Sequence, residues 1–135
     1  MEKIQEEIFK LYKLACNIRK KAYAPYSNFK VGAALKTKKG KIYTGSNIEN
    51  SSFGLTVCAE RIAIFKAVND GIREFDFIAI CADKEVFPCG ACLQVMNEFS
   101  PEMKIILKVN KKIKVYKLKE LLPFGLIKIF SYNKL

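Results

Sequence analysis

Two short stretches decide how this chain is read: Val57-Cys58-Ala59-Glu60 and, after residues 61–87, Pro88-Cys89-Gly90-Ala91-Cys92. Three cysteines in this pattern, with a carboxylate two residues after the first, describe an open metal site. Zinc held by four protein ligands is usually structural and closed, whereas three ligands leave a position for a water that the metal acidifies. Such a water needs a neighbour that takes its proton and later delivers it to a leaving group, and Glu60 beside a ligand can do both. The plainer readings are a closed site completed by Cys16, Cys81 or a carboxylate, and a Glu60 that merely stabilises a helix start. Histidine cannot be the fourth ligand, because the chain has none.

Working outward, Ile62, Ile64, Phe65 and Val68 continue from Cys58 at helical spacing, with Gly71 as a stop. Phe77 to Ala82 is a continuous apolar run, as in a central strand buried on both faces. A second helix runs from near Cys89 through Leu93, Met96 and Phe99 to Pro101. Met103–Val109 and Lys112–Tyr116 read as strands, followed by a helical turn at Leu118–Leu122 that Pro123 ends.

Upstream, Ile4, Ile8, Leu11, Leu14, Ala15 and Ile18 mark an amphipathic helix with Glu2, Glu6 and Glu7 at its start, ending near Ala22. Val31–Thr37 and Lys41–Ser46 form a hairpin about Lys38-Lys39-Gly40, and Asn47 to Gly54 is a long polar loop. Helices alternating with strands predict a sheet covered on both faces and at least partly parallel. At 135 residues the chain supports one domain, residues 1–135.

The metal pattern resembles that of the zinc-dependent cytidine deaminases, whose signature places a non-ligating glutamate near the first ligand and ends in Pro-Cys-x-x-Cys. The resemblance runs from Tyr23 to Leu122. It implies an α/β fold, a three-layer α-β-α sandwich with a mixed five-stranded sheet, and zinc on Cys58, Cys89 and Cys92 with Glu60 as the proton carrier. Tyr26-Ser27-Asn28-Phe29 matches a family segment that places an aromatic, here Phe29, on the pyrimidine ring. Asn47 and Glu49 match partners of the ribose 3′-hydroxyl, and the Ala59 amide matches the donor to the pyrimidine carbonyl.

Three thiolates and Zn²⁺ carry a net negative charge that opposes deprotonation of a bound water. Arg61, one helical turn after Cys58, is placed to offset it by hydrogen-bonding ligand sulfur, the role the resemblance implies. Leu93 and Leu126 depart from the family, which frequently has arginine after the last cysteine and a phenylalanine three residues beyond the proline. Phe124 is a candidate replacement for the latter.

Half the residues are hydrophobic and 27% are charged, which suits a globular chain and excludes a disordered one. Five cysteines, three of them clustered, argue for metal in a reducing compartment rather than a disulfide framework, leaving Cys16 and Cys81 as small buried hydrophobes. The charged N-terminal stretch is unlike a signal peptide, and no apolar run spans a bilayer, so the expectation is a cytoplasmic protein without membrane partners. The net charge of +11 comes mainly from dispersed lysines and only three arginines, a solvated surface rather than a nucleic-acid groove.

The expected function is hydrolytic deamination of cytidine and 2′-deoxycytidine in pyrimidine salvage, by a homotetramer as the resemblance implies. The competing readings are deamination of another small base or of cytosine in nucleic acid, and a non-catalytic zinc-stabilised module that binds RNA.

Overall fold

The computed structural model describes residues 2–126. Its elements are α1 (Glu2–Arg19), β1 (Val31–Thr37), β2 (Ile42–Ser46), α2 (Ala59–Asn69), β3 (Phe75–Ala82), α3 (Gly90–Phe99), β4 (Lys104–Val109), β5 (Lys112–Lys117) and α4 (Leu118–Leu121). The five strands form one sheet in the order β2-β1-β3-β4-β5. β3 and β4 are parallel, and the other neighbouring pairs are antiparallel.

Alternation along each strand sorts the core into two layers. Ala34, Ala79, Cys81 and Ile106 face Leu11 and Ala15 of α1. The next residues in register, Ala33, Leu35, Ile78, Ile80, Ile105 and Leu107, face Ala63, Ile64 and Ala67 of α2 and Cys92, Leu93 and Met96 of α3. The three-layer α-β-α sandwich with a mixed five-stranded sheet is therefore the observed fold. β3 is central and buried on both sides, in keeping with its unbroken apolar run.

Two glycines let the helices approach. A Cβ on Gly32 of β1 would stand 2.0 Å from the Ala15 carbonyl oxygen of α1. One on Gly45 of β2 would stand 2.6 Å from the Ala63 nitrogen of α2. Gly71 ends α2 at φ +82°, with its N–H donating to Val68 O and the Ile72 N–H to Ala67 O, the paired bonds of a left-handed helix stop.

The expectation for two cysteines is overturned. Cys16 and Cys81, read as free apolar side chains, form a disulfide between α1 and β3, their Cα atoms 5.0 Å apart. The sheet topology brings together residues that are 65 apart in sequence and gives their sulfurs bonding geometry. The first helix also ends at Arg19 rather than near Ala22, where the Arg19 guanidinium donates to Ala82 O at 3.1 Å and pairs with Asp83 at 3.4 Å.

Candidate active site

β2, β3 and β4 all run in the same direction, so the helices that follow β2 and β3 begin at the same edge of the sheet, beyond the carboxyl ends of their strands. That edge is where open α/β sheets place their ligands. α2 and α3 lie on one face of the sheet, and both begin on a cysteine. Cys58 is the N-cap of α2 (φ −71°, ψ 155°) and Cys89 the N-cap of α3 (φ −72°, ψ 162°). An N-cap side chain normally accepts a hydrogen bond from its own helix. Neither cysteine does so, and their sulfurs approach each other instead.

The sulfurs lie 3.9 Å apart for Cys58 and Cys89, and 3.5 Å apart for Cys89 and Cys92. Zinc–sulfur bonds of about 2.3 Å in a tetrahedron require ligand sulfurs roughly 3.8 Å apart. The three thiols thus fit a zinc ion in both chemistry and spacing. They are the one group of three or more metal-ligating side chains among the described residues, which leaves Cys16 and Cys81 outside the ligand set.

The electrostatics follow from burial and from Arg61. The Arg61 Nη2 donates to Cys58 Sγ at 3.4 Å, while its Nε is buried with no partner among the described residues. The Cys58 thiol is pulled down to about 5, first by a hydrogen bond with Cys92 and then by the Arg61 guanidinium. Cys92, wholly buried, is pushed up by the same contact with Cys58 and by loss of water. Glu60 is 4% exposed, and burial, reinforced by the Cys58 charge, raises its pKa above the ordinary carboxylate value. A carboxylate so raised is a better proton acceptor than one in water.

A cavity of about 360 Å³ opens in front of the sulfurs, a size suited to a small organic ligand. Phe29, Asn47, Glu49, Ala59 and Glu60 all line it, so the structure gathers these residues from three separate segments beside Cys58 and Cys89. Phe29 is half-buried and belongs to the cavity wall rather than the core. It is presented by Asn28, whose φ of +58° asparagine tolerates, and its own N–H donates to Ser27 Oγ.

Asn47 and Glu49 are held rigidly. Asn47 donates through Nδ2 to Phe29 O and accepts the Val31 N–H at Oδ1, both at 2.9 Å. Glu49 accepts the N–H groups of Tyr26 and Ser27 and the Ser27 hydroxyl, which hold its carboxyl below the usual range, the hydroxyl foremost. An amide has two N–H donors and a carboxylate about four acceptor positions, so each retains capacity for a ligand. The polar loop carrying them is pinned by backbone bonds from Ile48 to Val57 and from Glu49 to Tyr23.

The family pattern described as the cytidine and deoxycytidylate deaminase zinc-binding region matches residues 5–108. The chain belongs to that deaminase family. Two similar relatives are the cytidine deaminases of Sporosarcina psychrophila and Halalkalibacterium halodurans. The first is 54% identical over 95 residues, 69% of this chain and 70% of the relative. The second is 50% identical over 117 residues, 84% of this chain and 89% of the relative. Among solved structures, a cytidine deaminase from Burkholderia pseudomallei superposes with a TM-score of 0.83 at 45% identity, covering 87% of this chain and 98% of that one.

Against the family's habits, Leu93 is buried in the core below the sulfurs, so its position supplies packing and no charge. Leu126 is clamped by its backbone: its carbonyl accepts from Gln94 Nε2 and Asn97 Nδ2, and its N–H donates to Gln94 Oε1. Phe124 is 95% exposed and therefore does not close this chain's own cavity. Val86 and Phe87 also line the cavity just before Pro88, and in the sequence only their position next to the motif marks them.

Proposed function

We propose that this chain is a zinc-dependent cytidine deaminase that hydrolyses cytidine and 2′-deoxycytidine to uridine and 2′-deoxyuridine with release of ammonia, in pyrimidine salvage. The carrying observation is a buried Glu60 beside three thiols whose spacing suits one zinc ion, at the floor of a nucleoside-sized cavity. Zinc bound to Cys58, Cys89 and Cys92 supplies the polarisation that makes a water acidic near neutral pH.

The remaining steps fall to protein groups. Glu60 takes the water proton and passes it to ring N3 as oxygen adds to C4. It then carries the second proton to the amino group as the C4–N bond breaks, leaving the 4-carbonyl and free ammonia. The Ala59 N–H, one of the unpaired donors of a helix start, holds the 2-carbonyl. Phe29 lies on the ring face, and Asn47 and Glu49 take the ribose 3′-hydroxyl. Arg61 offsets the excess negative charge of the sulfurs.

We further propose that residues 1–135 fold as one domain and assemble as a homotetramer. Phe53 at 75%, Leu55 at 65% and Phe124 at 95% exposure are apolar surface that burial between copies would explain. No helix among the described residues is long and apolar enough to cross a membrane. A cytoplasmic location follows from the salvage role alone, because the Cys16–Cys81 bond removes the argument from free thiols. A free nucleoside rather than nucleic acid is the substrate, in line with Asn47 and Glu49 on the cavity wall and with dispersed lysines in place of an aromatic-rich basic groove.

The ultraviolet absorbance of cytidine incubated with zinc-loaded protein tests the reading. Conversion to uridine with stoichiometric ammonia supports it, and an unchanged spectrum refutes it. Light scattering of the same sample gives the assembly.

A further inference from the structure

Phe87 belongs to no motif used above. It lies in the irregular segment between β3 and α3, immediately before Pro88-Cys89. Two contacts fix that segment from behind. Glu85 accepts the N–H groups of Asn110 and Lys111 at 2.8 Å each. The Phe87 ring meets Tyr116 of β5 edge to face, with centroids 5.6 Å apart and planes at 68°. Phe87 is nevertheless 54% exposed and lines the metal-site cavity together with Val86 and Pro88. An aromatic braced on one side and open on the other is a wall.

The chemistry at C4 says which edge of a pyrimidine this wall meets. C4 lies between N3 and C5 in the ring. The proposed function, on which this inference rests, assigns N3 to Glu60 and the 2-carbonyl to Ala59, both in the first turn of α2. With C4 at the metal, the C5–C6 edge must then face the opposite bank, which is the segment leading into α3.

We propose that Phe87 is a specificity-determining residue that packs against the C5–C6 edge of the pyrimidine and rejects cytosine nucleosides carrying a substituent at C5. One methyl group in a filled apolar pocket changes kcat/KM by roughly 10-fold or more. The unsubstituted ring loses apolar contact when the wall is cut back, so Phe87→Ala also raises KM for cytidine.

The test compares 5-methylcytidine with cytidine in wild type, Phe87→Ala and Phe87→Leu. The ratio of kcat/KM for the two substrates rises roughly tenfold in Phe87→Ala, through KM, and by less in Phe87→Leu. Calorimetric titration of the zinc-loaded proteins with 5-methyluridine and uridine gives the same order without turnover. Should Phe87→Ala fail to fold, Phe87→Leu and Phe87→Val, which keep an apolar group against Tyr116, carry the comparison. Ratios within about twofold of wild type in both assays overturn the proposal. A wild type that makes no uridine from cytidine removes the functional reading instead, while the binding ratios still judge the wall.

Discussion

Gly45→Ala tests whether the metal site depends on how closely α2 sits on the sheet. The new Cβ would lie 2.6 Å from Ala63 N and 2.7 Å from Ala59 O, and neither backbone atom can rotate away. Ordinary contact begins at 3.4 Å, so the step from 2.6 to 3.4 Å demands that α2 retreat by about 0.8 Å. Overpacking of this kind costs about 1–3 kcal/mol. For a chain of this length that lowers Tm by roughly 3–5 °C per kcal/mol.

The retreat also carries Cys58 away from Cys89, from a separation of 3.9 Å that already meets the roughly 3.8 Å zinc requires. Zinc affinity therefore falls about tenfold or more, as with other losses of ligand support. Gly32→Ala is the control, because its Cβ would strike α1 on the opposite face, 2.0 Å from Ala15 O. That variant also melts early but keeps zinc affinity within about twofold. Thermal melts with and without zinc, and competition with a chromophoric chelator, read both quantities. Equal zinc loss in the two variants, or a parental Tm in Gly45→Ala, would refute the reasoning.

Glu60→Gln keeps stoichiometric zinc by metal analysis but loses about 10³-fold in kcat; loss of the metal would make Glu60 a ligand instead. Arg61→Gln weakens zinc binding by about 10–100-fold in the same chelator competition, and parental affinity would leave Arg61 without a supporting role. Glu49 has a depressed pKa, so the stability it provides is present above the ordinary carboxylate value of 4.5 and is lost as pH falls through the lower folded value. The Tm advantage of wild type over Glu49→Gln accordingly exists near neutrality and closes in acid, and a pH-independent gap contradicts this. Denatured, zinc-free protein titrates three thiols before reduction and five after it. Cys16→Ser lowers stability by about 2–4 kcal/mol under oxidising conditions, and an unchanged denaturation midpoint would refute the link.

The metal motif was legible because its chemistry is local. Cys89 and Cys92 are one helical turn apart, Glu60 is two residues from Cys58, and helix starts are written in the apolar spacing that follows them. β3 was legible for a similar reason, since the six apolar residues from Phe77 to Ala82 offer no polar face to solvent and so suit a central strand, which in the structure begins two residues earlier at Phe75. The Cys16–Cys81 pair was hidden because no local rule connects residues on a helix and a strand so far apart. Setting aside the three metal ligands leaves an even pair, but only the register of β1 with β3 and the seating of α1 bring it together. Asn47 and Glu49, which line the cavity, are singled out in the sequence only by resemblance, whereas their fixation by Phe29, Val31 and Ser27 depends on a loop with no periodic pattern. Phe87 is not legible as a cavity residue, because its neighbours in space, Tyr116 and the cavity lining, come from distant parts of the sequence.

The turn at Asn110 and Lys111, with φ values of 51° and 64°, is a tight hairpin whose two amides both end on Glu85. The rim of the cavity has no ladder of its own and borrows its stiffness from that hairpin, through the Glu85 carboxylate and the Tyr116 ring. The mouth of the pocket is thus geared to the outermost strand of the sheet. A substitution that shifts β5 is therefore transmitted to Val86 and Phe87, two side chains of the cavity wall that lie outside that strand.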